Sequence, residues 1–152
     1  MRTFFFFLFT SLASSGFAQN DLRIVREING YPPPGRLKPL KDVHTMIDTI
    51  DARGNRLLVT KGIREAGTRV GIHIHEYGGH TCVLTGTITD FVEGKPPMLF
   101  EAGSCYYMPP NIPMTAVNLG SEDAILIDTF NVPPNAPPIT ILEPGYPGGP
   151  SE

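Results

Sequence analysis

Beyond residue 18 the chain has no apolar stretch long enough to cross a bilayer, so a domain built of transmembrane helices is excluded. No window sustains the 3.6-residue period of an amphipathic helix, which sets aside a helical bundle. Basic residues number 12 against 15 acidic ones and form no stripe, so nucleic acid is not an expected partner. With two cysteines in 152 residues there is no disulfide framework, and none is needed. A single domain of this length buries about two-thirds of its unfolded surface.

What is present starts with a leader. Arg2, an apolar run from Phe4 to Leu12 and the small-x-small triplet Gly16-Phe17-Ala18 read as a secretory signal peptide spanning 1–18. Cleavage there predicts a soluble, exported protein, periplasmic or extracellular, with no membrane attachment. A proline-containing arm (19–42) follows, then a strand-rich region (43–132) and a proline-rich tail (133–152). The prolines forbid helix or central strand in both ends, so an extended arm packed along the domain is expected, with a short edge strand at 139–142. Strands are predicted at 43–51, 56–62, 69–75, 80–85, 87–92, 98–101, 105–108, 115–118 and 124–130, separated by glycine and proline corners. That pattern indicates an all-β jelly roll or barrel. Val83, Leu84, Phe91, Phe100, Ile125 and Ile127 are its expected packing residues.

Chemistry concentrates at 73–80, which reads His-Ile-His-Glu-Tyr-Gly-Gly-His and holds three of the four histidines. Strand alternation puts His73 and His75 on one face, where two imidazoles can chelate one ion. Glu76, next to His75, falls on the other face and is expected to be exposed. His44 is expected at the surface or in strand packing.

This region resembles the cupin family. Gly67, five residues, His73-Ile74-His75, four residues, His80 and finally Gly86 follow the first cupin motif, with His80 in place of its glutamate. Gly103, Pro109, Asn111, Met114 and Asn118 follow the second, with Met114 in place of its last histidine and Asn111 replacing a glycine that needs positive φ. The resemblance implies a double-stranded β-helix barrel, a homodimer joined through edge strands and arms, and a divalent metal held by His73, His75, His80 and Met114. Loss of the carboxylate and gain of a thioether favour copper or zinc over iron or manganese. Met114 has three readings: a ligand, an apolar wall beside an open coordination position, or a sign that the metal has been lost.

Arg69 shares the parity of His73 and His75 and is a candidate anchor for an anionic substrate, with Gly71 leaving room beside it. Tyr106 and Tyr107 lie on opposite strand faces, so one of them lines the cavity; Tyr107 stands with Arg69 as a candidate substrate contact. Cys82 and Cys105 are either a disulfide or two buried thiols. The implied function is a metal-dependent enzyme acting on a small oxygenated or aromatic substrate, as a dioxygenase, lyase, isomerase or decarboxylase. The alternative is a non-catalytic copper- or small-ligand-binding protein.

Overall fold

The computed structural model of the protein describes residues 23–151, and the expected leader, 1–18, lies outside them. The described residues form strands and turns with no helix. In chain order the strands are β1 (Arg36–Leu37), β2 (Lys41–Ile50), β3 (Arg56–Arg64), β4 (Thr68–Arg69), β5 (His73–Ile74) and β6 (Gly79–Thr85). They continue with β7 (Thr87–Val92), β8 (Met98–Glu101), β9 (Cys105–Met108), β10 (Met114–Val117), β11 (Ala124–Val132) and β12 (Thr140–Ile141).

Two sheets face one another, as the strand pattern predicts. One has the order β2-β3-β11-β6-β9, with every neighbour antiparallel. The other is built around β10, which pairs with β7 on one side and with β4 and β5 on the other. β8 extends it beyond β7, β1 beyond β4, and β12 beyond β5. Arm and tail thus each supply a strand. Between the sheets lies a core that includes Leu58, Val83, Ile88, Val92, Met114, Leu126, Phe130 and Val132. Burying side chains of this size contributes roughly 1.5–3 kcal/mol each.

Parity decides what faces the core, and on β11 it is the even-numbered set. Ala124, Leu126 and Phe130 are buried, whereas Ile125 and Ile127, expected inside, are only half-buried on the other face. On β7 the buried residues are Ile88, Asp90 and Val92, so Phe91 turns away, and Leu84 is exposed. At the far edge β2 is exposed along its whole length, His44 included.

The turn positions of both motifs behave as their spacing requires. Asn111 adopts a φ of 58°, tolerable for asparagine because its short amide side chain bonds locally. The predicted strand 69–75 is broken in two. Where β10 would continue the ladder, the Glu143 carboxylate accepts the Ile72 N–H at 2.8 Å, and the Ile72 carbonyl accepts from the N–H groups of Leu142 and Glu143. The tail has replaced a strand partner there. Cys82 and Cys105 face each other across β6 and β9, with Cα atoms 4.0 Å apart, and form a disulfide.

Candidate functional site

A cavity of about 300 Å³ lies between the sheets. His73 and His75 reach it from β5 and the residue following its end, and Met114 reaches it from β10, in register with His73. His73 is 3% exposed, His75 2% and Met114 1%, so all three are sheltered from bulk water. The two Nε2 atoms lie 3.0 Å apart.

Both rings are held from behind. His73 Nδ1 is 2.8 Å from the Gly71 carbonyl and His75 Nδ1 is 2.7 Å from the Pro138 carbonyl. A carbonyl only accepts, so each ring carries its proton on Nδ1 and leaves Nε2 with a bare lone pair. For one Nε2 to donate to the other, that ring would have to be an imidazolium. Burial opposes this: it pushes the His73 pKa down to about 3, helped by the neighbouring His75, against a smaller opposite pull from the Gly71 carbonyl. Burial likewise lowers His75, partly offset by the Pro138 carbonyl. Two lone pairs therefore converge on one point. Phe130 stacks on the His75 ring at 5.3 Å and fixes its plane.

The residue types at this point fit a metal ion. Nitrogens about 2.0–2.1 Å from one zinc-sized ion stand about 3 Å apart at a near-right angle. Carbonyls behind the distal nitrogens are the usual way a protein orients histidine ligands. The fit is bidentate from nitrogen: among the described residues no three His, Cys, Asp or Glu side chains form a metal-sized cluster.

His80 does not join the pair. β6 turns Gly79, Thr81 and Val83 inward, so His80 lies on the outer face, exposed, with its ring 5.3 Å from that of Tyr107. Gly78 and Gly79, which precede His80, are both buried. A Cβ on Gly79 would lie 2.8 Å from Met108 Cε and 2.9 Å from Phe130 Cδ1, so glycine lets β6 close against the ring that supports His75.

Arg69 is also displaced from its expected place. Val70 and His73 both line the cavity although three residues apart, so the two-residue alternation fails across 71–72 and Arg69 faces away. There it is buried in a bidentate ion pair with Glu143, at 2.5 and 2.7 Å. Gly71 makes room for the tail instead of a substrate: a Cβ there would meet Tyr146 Cβ at 2.8 Å. Of the two tyrosines, Tyr106 lines the cavity and Tyr107 is 54% exposed. Glu76 is exposed, as expected.

Three cavity residues had no signal in the motifs. Arg64, at the end of β3, is 3% exposed, and Tyr146 from the tail hydrogen-bonds to it. Asp128 on β11 accepts a hydrogen bond from Thr81 at 2.6 Å, and burial raises its carboxyl pKa. Alternation sets Arg64 with Leu58 on β3 and Asp128 with Leu126 on β11, so both become findable once those leucines are known to face inward. Tyr146 could not be found that way.

A second cavity, of about 270 Å³, is lined by Asp90, Lys95, Phe100, Tyr106 and Tyr107 among others. Burial raises the Asp90 pKa to about 7 against a smaller pull from Lys95, and its Oδ1 has no hydrogen-bond partner.

No family model and no curated protein matches the chain. Solved structures do. A double-stranded β-helix protein from Klebsiella pneumoniae is 24% identical, with 74% of this chain and 86% of that one covered and a TM-score of 0.51. A cupin-like protein from Thermotoga maritima is 22% identical over 66% of this chain and 74% of that one, with a TM-score of 0.56. A DMSP lyase from Ruegeria pomeroyi is 15% identical, with 70% and 53% covered and the same TM-score, 0.56. These likenesses establish the fold: the protein is a double-stranded β-helix of the cupin type. Its structural neighbours include enzymes.

Proposed function

We propose that the protein is an exported, metal-dependent enzyme acting on a small oxygenated or aromatic substrate, of the dioxygenase, lyase, isomerase or decarboxylase type. The observation that carries this reading is the convergence of two neutral Nε2 lone pairs at 3.0 Å inside a sheltered cavity. His73 and His75 would hold the ion, and Met114 stands beside them as thioether ligand or apolar wall. With His80 outside, two imidazoles and a sulfur favour a soft ion, copper before zinc. The bound ion would supply Lewis-acid or dioxygen chemistry. The chain supplies the rest: carbonyls that keep both rings aimed, and walls from Phe130, Leu126 and Met108 that exclude water. Export is supported by the leader-like N-terminus and by the Cys82–Cys105 disulfide, which suits an oxidising compartment.

A second reading, a non-catalytic copper- or small-ligand-binding protein, is favoured by the absence of a third nitrogen or carboxylate ligand among the described residues. Elemental analysis of protein purified without a metal-affinity tag separates the two. About one equivalent of metal, lost in His73→Ala, is expected. Copper that is also lost in Met114→Leu makes the thioether a ligand and favours the binding protein. Metal retained in Met114→Leu favours the enzyme. If neither native nor reconstituted protein takes up metal, both metal readings fail.

A further inference from the structure

Arg64 is an anomaly in the cavity wall. Its side chain comes off the end of β3, is 3% exposed and is the one lysine or arginine among the described residues that line the cavity. Its Nη1 donates to the Lys38 carbonyl, the Tyr146 hydroxyl is a further partner, and its Nε has no acceptor. Among the described residues no carboxylate lies within ion-pairing distance of it. The contrast with Arg69, five residues later, is one of charge: its Nε also lacks an acceptor, but its guanidinium is ion-paired with the Glu143 carboxylate. A buried charge is costly unless it is paired, and paired charges are the rule in folded proteins.

The rest of the cavity leaves this charge standing. Burial biases the Asp128 carboxyl and the Tyr106 and Tyr146 phenols towards their uncharged forms, against a smaller pull on each from Arg64 itself. Around them the wall is apolar, from Leu58, Val70, Leu126 and Phe130. A volume of about 300 Å³ is at the small end of ligand sites. Val43 also lines the cavity yet is 53% exposed, so the cavity opens beside the start of β2.

We infer that Arg64, supported by Tyr146, is the anchor for a small organic carboxylate that enters this cavity. The carboxylate neutralises the guanidinium, and the carbon body lies along the apolar wall between Arg64 and the imidazole pair. This names a substrate class for the site and rests on the functional reading above for its use. The anchor itself needs no metal. It also reassigns to Arg64 the role that sequence parity gave to Arg69.

The test is binding of straight-chain carboxylates, from acetate to hexanoate, to chelator-treated protein, each measured beside its own primary amide by ligand-observed NMR and calorimetry. At least one acid is expected to bind saturably, with its amide at least tenfold weaker. Arg64→Gln is expected to lose that acid at least tenfold, and Arg64→Lys to retain part of it, because it keeps the charge but not the planar fork. An amide that binds as well as its acid, an Arg64→Gln variant that binds the acid like the native protein, or no binding across the series overturns the proposal. Should Arg64→Gln fail to fold, the acid-against-amide comparison on the native protein decides alone. Elemental analysis on the same samples keeps the two ideas apart. Acid binding without metal uptake sinks the metal reading and spares the anchor, while metal uptake without acid preference does the reverse.

Discussion

The two cavities are nearly equal in size and share Tyr106 as a wall, yet they treat buried ionisable groups in opposite ways. In the first, burial biases every titratable side chain towards neutrality, and Arg64, whose pKa burial also lowers, is the one that still carries a charge. In the second, the buried group is a carboxyl, Asp90, with a lysine beside it that lowers its cost only slightly. The first is also closed by the tail, through Pro138, Ile139 and Tyr146, whereas the second is bounded by β7, β8, β9 and the turn before β8. What separates a candidate chemical site from a packing defect here is support. His73 and His75 each have a carbonyl behind them and a shared target in front, while Asp90 has an unpartnered oxygen and no second group aimed at the same point.

That dependence on the tail gives the largest expected effect. Glu143→Gln strips the buried Arg69 of its counter-charge, which costs about 3–5 kcal/mol. Thermal unfolding should show a fall of roughly 10–20 °C in Tm. Arg69→Met combined with Glu143→Leu should recover much of it, since replacing a whole buried pair by apolar groups is often neutral. A Tm in Glu143→Gln within a degree or two of the native value would mean that the tail does not hold the first cavity together.

The second cavity is tested through pH. Burial holds the Asp90 carboxyl pKa up at about 7 in the folded protein, against 3.8 for an unperturbed aspartate. Between those values the folded state holds a proton that the unfolded chain has released. The contribution of Asp90 is therefore fully present below 3.8 and lost as pH rises through about 7. At pH 8 Asp90→Asn should be more stable than the native protein by about 4 kcal/mol, and the gain should shrink towards pH 5. Denaturant unfolding at the two pH values measures this, and an equal difference at both would show that the carboxyl is not desolvated.

How much of this was legible in the chain depends on which periodicity carried the information. The motif spacing placed the fold, the pair His73 and His75, and the positive φ of Asn111, because these depend on short stretches of regular strand or turn. Arg69 was misassigned because alternation was extended through 71–72, where a side chain from residue 143 supplies the bond a strand would have made. Tyr107 and the β11 isoleucines show the same weakness: which of two parities faces inward is set by the partner sheet and is not written along one strand. Tyr146 and the Pro138 carbonyl were out of reach for a different reason. Their contacts with the site span more than sixty residues of chain through a proline-rich segment that has no period at all.

The smallest expected effect bears on the same lesson. His80 was read into the metal set because it sits where a family ligand belongs, but a strand residue flanked by the inward-facing Gly79 and Thr81 must point outward. Its one ring contact is with Tyr107, which is itself exposed, and such a surface pair contributes little. His80→Ala should therefore change stability by no more than about 0.5 kcal/mol. It should also leave metal content at the native stoichiometry under conditions where His73→Ala has none. Parallel elemental analysis and melting of the two variants reads both quantities. Metal lost with His80 would mean that β6 turns its other face inward when an ion is bound. That would move Thr81 out of the cavity and break its hydrogen bond to Asp128, a rearrangement the buried packing of Gly79 against Phe130 argues against.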